Sequence, residues 1–445
     1  MSRLPPSPHP TRPALRFALG LLLVALGAAA FAIVFRAALS FVVHRLGNGP
    51  DVVSAARAAP VWLRLTAPAV GGLLAGTLGL WVARAPAGQG VADVMEAVVL
   101  GRVRLAMPVT LVKSLSSWLA IASGGSLGRE GPLIQFGGAL GKWLSDVLAL
   151  SMKRTRVLIA AGTAAGFAAA YNTPLAAVLF VLEVVVGVAA LDTVVPVLVA
   201  TVAASALTRA VVGEGPIYGV RAFHLASPLE LLWFAGLGVF VALGAQAFMR
   251  LLSFGEHLFR HPRLVMPWRS ALGGLLAGAL VAVLPEVAGN GYEPLNAILD
   301  GQYGLQGVLW LLLAKCVATT ASVSSGSPGG VFTPTLLLGG GLGFLYAGLL
   351  GHAGASVAAA GGYALVGMAA ATAATTHAPM MAAVMAFELS GDYAIALPLL
   401  LATAIATSVS RWLRPDSVYT AELRKRGVAW HLTLDGRKRE EPSRS

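Results

Sequence analysis

Apolar residues fill this chain from about residue 14 to residue 410, in runs longer than a soluble core normally buries. Ala18–Val34, Leu65–Val82, Val157–Leu182, Leu231–Phe248 and Ala394–Val409 stand out. A helix needs about 20 apolar residues to span the hydrocarbon layer of a bilayer, so each run is fit to lie in or cross one. Charged residues make up 12% of the 445, against about 25% in an ordinary soluble domain. In lipid, backbone polar groups must be satisfied inside the protein. The expected class is therefore an all-α polytopic membrane protein. Its 52 glycines suit helices that pack closely or break within the membrane.

The net charge is +12. In a soluble protein this would suggest nucleic-acid binding, but no basic-aromatic module is present, so no nucleic-acid partner is expected. The positive-inside rule accounts for the charge. Arg3, Arg12 and Arg16 lie at one end, and Arg424, Lys425, Arg426, Arg437, Lys438 and Arg439 at the other, which puts both termini in the cytoplasm. Cys316 is the sole cysteine, which excludes an internal disulfide and a Cys-rich metal site. The first apolar run continues past any cleavage point, so it reads as a span rather than a signal peptide.

The chain divides into a loose Pro-rich tail over 1–13, a transmembrane domain over 14–413 and a short basic segment over 414–445, too small for a regulatory domain. At its centre lies Ser123–Gly138, SGGSLGREGPLIQFGG, with an arginine and a glutamate side by side. A charge at the middle of a membrane helix costs about 2.5–3.5 kcal/mol on insertion scales, so Arg129 and Glu130 are not expected to face lipid. Pro132 suits the first turn of a helix, where its missing N–H is not needed. Glu130 then opens a helix whose unpaired N–H groups attract anions. A carboxylate there competes with a soluble anion for the same donors, which makes Glu130 a candidate gate.

The chain also repeats itself. Gly88–Gly90 recurs as Gly289–Gly291, Lys113 as Lys315, and Gly128–Pro132 as Gly330–Pro334. Asn172–Pro174 with Glu183 recurs as His377–Pro379 with Glu388. Two halves, about 60–210 and 265–411, with Gly/Pro interruptions at matching places indicate a transporter-like fold whose site lies at the repeat interface. The halves are inverted if each crosses the membrane an odd number of times.

No P-loop, HExxH or nucleophile–base arrangement occurs, and the eight histidines do not pair at metal-ligand spacing. No enzyme activity, metal or cofactor is expected. The available chemistry is electrostatic. GREGP at 128–132, GGVFTP at 329–334 and DSVYTAELRKRG at 416–427 resemble the marks of the CLC family of chloride channels and chloride/proton exchangers. GQGVADVMEAV, LVKSLSS and SGGSLGREGP are most similar to its bacterial chloride channel protein B subgroup. The resemblance covers nearly the whole chain, from about Ala14 to Gly427.

The resemblance implies two inverted repeats with broken, tilted helices, and a homodimer with one chloride pore per subunit in the bacterial inner membrane. Val184–Ala206 and Ile395–Ala406 are its candidate interface regions. Glu130 is implied to be the gate, occupying an anion site when ionised and swinging away when protonated. Val331 and Phe332 are implied to hold the central anion by backbone N–H groups, and Tyr419 by its hydroxyl. Gly131 and Arg129 belong to the same anion-binding stretch, and Lys113 and Arg129 raise the local potential for anions. The competing readings are an N-cap carboxylate for Glu130, helix packing for Phe332, an interfacial tyrosine for Tyr419, and ordinary ion pairing for the two basic groups.

Two departures from the family pattern bear on mechanism. Where many members carry a serine that donates to the central anion, this chain has Gln89 and Gly90. Either the Gln89 amide donates or the backbone N–H groups remain for the ion, which leaves the choice between chloride and nitrate open. Many proton-coupled members carry two consecutive glutamates after the Asn-x-Pro landmark, whereas here the pair is Glu183–Val184. Valine carries no proton. Glu183 is both a candidate for the proton path with Glu130 and, because it recurs as Glu388, a candidate structural residue. Exchanger and passive channel both remain open. Tyr419 and Pro132, usually lost or altered in fluoride exporters, speak against that specialisation. A membrane-embedded enzyme lacks its paired groups, and a solute carrier would need uptake without small anions.

Overall fold

The computed structural model describes residues 12–439, apart from 48, 83–89, 101–104, 188–190, 214, 216–217, 220–224, 226, 262–263, 356–357, 429 and 434–435. The first half comprises α1 (Arg12–Gly47), α2 (Val52–Ala58), α3 (Val61–Val82), α4 (Val91–Leu100), α5 (Met107–Ala122), α6 (Glu130–Val147), α7 (Met152–Tyr171), α8 (Pro174–Leu179) and α9 (Leu191–Val212). A π-helical turn over Phe180–Val186 continues α8. The second half comprises α10 (Glu230–Phe259), α11 (Trp268–Val283), α12 (Tyr292–Leu299), α13 (Leu305–Ser324), α14 (Phe332–His352), α15 (Ala360–Thr376), α16 (Pro379–Ser390) and α17 (Ala396–Leu413). The eight-residue α18 (Val418–Lys425) follows, then an antiparallel hairpin of β1 (Trp430–Thr433) and β2 (Gly436–Arg439) outside the helical body.

Among the described residues, seven helical stretches are long and apolar enough to cross a membrane. The apolar run Val157–Leu182 is not one span. Asn172 takes a left-handed backbone at φ 56° and ends α7, and Pro174 starts α8. Proline cannot supply the N–H that would continue α7, and asparagine tolerates the left-handed turn. His377 at φ 59° and Pro379 break the second half in the same way.

The two halves meet through equivalent parts related by a twofold. α3 and α11 pack antiparallel and almost backbone to backbone. A Cβ on Gly72 would lie 2.3 Å from the Ser270 carbonyl oxygen, one on Gly274 2.0 Å from that of Pro68, and one on Gly278 2.2 Å from that of Leu65. Equivalent helices that run in opposite directions beside each other make the repeats inverted. Within each half the matching helices pack alike. α6 meets α7 at Gly137 and Gly162, and α14 meets α15 at Gly339 and Gly367; a Cβ on any of the four would lie 2.0–2.4 Å from the facing carbonyl oxygen. Such approaches hold helices together where lipid tails supply no hydrophobic drive. Ahead of the matched motifs, α1 packs along α7 and α10 along α15, Phe234 of α10 stacking on Tyr363 at 4.4 Å.

Candidate anion site and gate

At the centre of the molecule the two Gly-rich loops touch. Gly128 and Gly330 exchange reciprocal backbone hydrogen bonds, each 2.8 Å from N–H to carbonyl oxygen. This antiparallel bridge aligns the starts of α6 and α14. The seated carboxylate requires glycine at both positions, because a Cβ on Gly128 would lie 2.2 Å from Glu130 Oε2 and one on Gly330 1.9 Å from Glu130 Oε1. The carboxylate is folded against the bridge and is 2% exposed.

Glu130 reaches across the repeat interface. Its Oε1 accepts from the Phe332 backbone N–H at 2.8 Å, the first N–H of α14. Its Oε2 lies 3.2 Å from Thr333 Oγ1 and 3.4 Å from Tyr171 Oη, within reach of a proton from either hydroxyl. The carboxylate of one half therefore occupies the helix start of the other, where donors and the helix dipole favour negative charge.

Below it opens a cavity of about 450 Å³ lined by Gly90, Lys113, Glu130, Gly131, Val331 and Tyr419, among others. The starts of α4, α6, α14 and α18 all border this space. Gly90 enters α4 with φ 77°. α18 is fixed by a capping box in which Ser417 Oγ accepts from the Thr420 N–H and Thr420 Oγ1 accepts from the Ser417 N–H. This sets Tyr419 at the wall, edge-on to Phe180 at 6.2 Å. An anion in the cavity would meet helix starts, small residues and a tyrosine, with Lys113, Arg269, Arg414 and Lys425 and the carboxylates of Glu256 and Glu422 also on its wall.

Arg129 faces elsewhere. It lies over the Tyr292 ring at 5.9 Å and lines a second cavity of about 210 Å³ with Arg36 and Glu293. The two cavities share no lining residue: Glu130 and Gly330 border the first, and Arg129, between Gly128 and Glu130 in the chain, borders the second. Gln89 lies outside the described residues. Lys113 is 3.4 Å from Asp93, so its charge is partly balanced. Glu183 is not at the cavity. Its oxygens accept from the backbone N–H groups of Met380 and Met381, at 3.3 and 2.8 Å, and cap α16. Glu388 returns the contact, accepting from Leu175 and Ala176 at 3.0 and 2.8 Å to cap α8.

Sequence reasoning passed over Tyr171, Thr333 and Asp93. Thr333 follows Phe332 inside GGVFTP and Tyr171 precedes the Asn172 landmark, so both stood beside marked positions. Their approach to Glu130 depends on how the halves dock.

The family model described as voltage gated chloride channel matches residues 71–411. The chain belongs to that family. A putative chloride channel protein ClcB-like from Ralstonia nicotianae is 41% identical over 390 residues, covering 85% of this chain and 89% of its own length. The voltage-gated ClC-type chloride channel ClcB of Citrobacter koseri is 37% identical over 377 residues, covering 83% and 89%. These relatives are named as channels, not enzymes. Among solved structures, a slow cyanobacterial Cl⁻/H⁺ antiporter aligns with TM-score 0.82 at 23% identity, covering 94% of this chain and 99% of the other. A CLC-type fluoride/proton antiporter aligns with TM-score 0.75 at 24% identity, covering 92% and 98%. At those identities the likeness is one of fold. The chain is a polytopic membrane protein of the CLC chloride channel and antiporter family.

Proposed function

We propose that each subunit carries chloride through the path between the two cavities, and that Glu130 gates it. The observation that carries this reading is the Glu130 carboxylate seated on the Phe332 N–H at 2.8 Å, an anion already occupying an anion site. Protonation removes its charge and its reason to stay, and a chloride ion takes its place between the helix starts. Gly131, Val331 and Tyr419 line the approach, and Gly90 and Gln89 belong to the loop that enters α4 beside it. Lys113 and Arg129 hold the local potential positive. The protein acts as a homodimer in the bacterial inner membrane, with both termini in the cytoplasm.

Proton-coupled chloride/proton exchange is the favoured form, since one carboxyl group serves both ions. Glu183 is then the candidate for the inner proton step. A passive channel is the second reading, favoured by Val184 at the position where a relay carboxylate would stand. Sealed liposomes holding the purified protein separate the two: an imposed chloride gradient drives protons uphill in the exchanger, and chloride flux without proton movement selects the channel. Glu130→Gln imitates the protonated gate. We expect it to abolish proton movement and to leave chloride flux independent of pH. Wild-type pH dependence in this variant would remove Glu130 from either role. Repeating the assay in nitrate reads the anion preference.

A further inference from the structure

We infer that Tyr171 and Thr333 form a hydroxyl latch that positions the Glu130 carboxylate and sets the pH at which it lets go. This inference rests on the gating role proposed for Glu130. Oε1 accepts from the Phe332 backbone N–H, and Oε2 lies against the two hydroxyls. Tyr171 Oη and Thr333 Oγ1 lie 2.9 Å apart, and both residues are buried, at 2% and 1% exposure. Two hydroxyls carry two protons. One is shared between the hydroxyls, and the other points at Oε2, so the pair acts as a single polarised donor.

The latch spans the molecule's central seam. Tyr171 is the last residue of α7 in the first half, and Thr333 lies in the first turn of α14 in the second. The Tyr171 ring is fixed at 5.0 Å from Phe167 and 5.6 Å from Phe332, which aims its hydroxyl without freedom to turn away. Neither hydroxyl caps its own helix: α7 is ended by the Asn172 backbone, and both hydroxyls are directed at each other and at Glu130.

Other charged or titratable groups surround the gate. Tyr419, Glu422 and Lys425 come from α18, Arg414 from the link before it, Lys113 from α5, Glu256 from α10 and Arg269 from α11, and Asp93 of α4 pairs with Lys113; Tyr218 lies near Tyr171, and Arg129 precedes Glu130, with Arg36 of α1 and Tyr292 and Glu293 of α12 lining the cavity beyond it. α14 offers no ionisable side chain at this point. Tyr171 and Thr333 alone among these side chains are hydrogen-bonded to the carboxylate among the described residues. A donor to an ionised carboxylate favours that form, so its loss makes protonation easier and moves acid activation to higher pH.

The test is chloride efflux from liposomes against pH, using the full chain with Tyr171→Phe, Thr333→Val, and the two together. Tyr171→Phe keeps the ring stack, and Thr333→Val keeps the shape. The double variant is expected to raise the pH of half-maximal flux by about one unit, equal to protonation at roughly a tenfold lower proton concentration. Thr333→Ser restores a hydroxyl and should return the midpoint towards wild type. If the double variant does not assemble, Tyr171→Phe alone carries the test with a smaller shift of the same sign. An unchanged midpoint, or a move to lower pH, overturns the latch. If Glu130→Gln flattens the profile while the hydroxyl variants leave it in place, the gate stands and the latch falls. If Glu130→Gln keeps the wild-type profile, the gating role itself fails.

Discussion

A single carboxylate can do different work according to which backbone it meets. Glu130 sits on an N-terminal donor of the opposite half but borders a cavity, so a small displacement exposes it to exchange with an anion. Glu183 and Glu388 also sit on helix starts of the opposite half, yet each spans two adjacent N–H groups and borders neither cavity. They are staples. Charge-assisted bonds to helix N-termini contribute about 1–2 kcal/mol each. Glu388→Ala is expected to cost about that much and to lower the detergent unfolding midpoint while leaving the pH profile of flux in place. Glu183→Ala should lose similar stability. If it also abolishes proton movement while chloride flux persists, its proton role is supported. The backbone at Asn172 is a comparable residue-scale constraint, because its left-handed turn lets Nδ2 donate to the Gly215 carbonyl oxygen at 2.9 Å and Oδ1 accept from Arg209 at 2.9 Å.

Among the elements, α18 is short and leans on ion pairs for its position. Asp93 of α4 is the hub. Its Oδ1 accepts from Arg426 Nη1 at 2.8 Å, and its Oδ2 accepts from Lys113 and Gln135, each at 3.4 Å. Lys425 pairs with Glu256 of α10 at the other side of the helix. These contacts tie the segment bearing Tyr419 to α4, α5 and α6. Asp93→Asn removes the charge that Arg426 and Lys113 share. Freeing Lys113 raises the local positive potential, but loosening α18 displaces Tyr419; the second effect is expected to prevail and weaken chloride binding several-fold, read by calorimetric titration of the purified protein, with the fold retained. Unchanged affinity would mean that the Ser417–Thr420 capping box suffices to place Tyr419. Tight helix crossings make a second demand at this scale. At Gly162, even a lone Cβ would lie 2.1 Å from the Gly137 carbonyl oxygen, so Gly162→Leu should separate α6 from α7 and abolish folded protein on gel filtration.

For the whole molecule, inversion is what makes a site. Each half alone ends its broken helices in open backbone, with N–H groups that lipid cannot satisfy. Docking the halves about a twofold turns those ends towards each other, so the Gly128–Gly330 bridge, the Glu130–Phe332 contact and the Glu183 and Glu388 caps all form at one seam. Much of this was legible in the chain. The apolar runs required a bilayer, the recurrence of Lys113 as Lys315 and Glu183 as Glu388 required two like halves, and Glu130 beside Pro132 marked a helix start, because these depend on composition and on local backbone chemistry. Other features were not legible. Nothing near Tyr171 or Thr333 in the sequence says that they meet, since they are 162 residues apart and come together only where the end of α7 meets the start of α14. Likewise, Arg129 and Glu130 are neighbours in the chain, yet one faces each cavity, because the first turn of α6 sends successive side chains in different directions. The sequence by itself determined the solvent, the repeat and the breaks, which are properties of single segments. Which half's donors each carboxylate meets was decided only by the tertiary structure, because hydrogen bonds across a seam depend on the packing of distant helices to within an ångström.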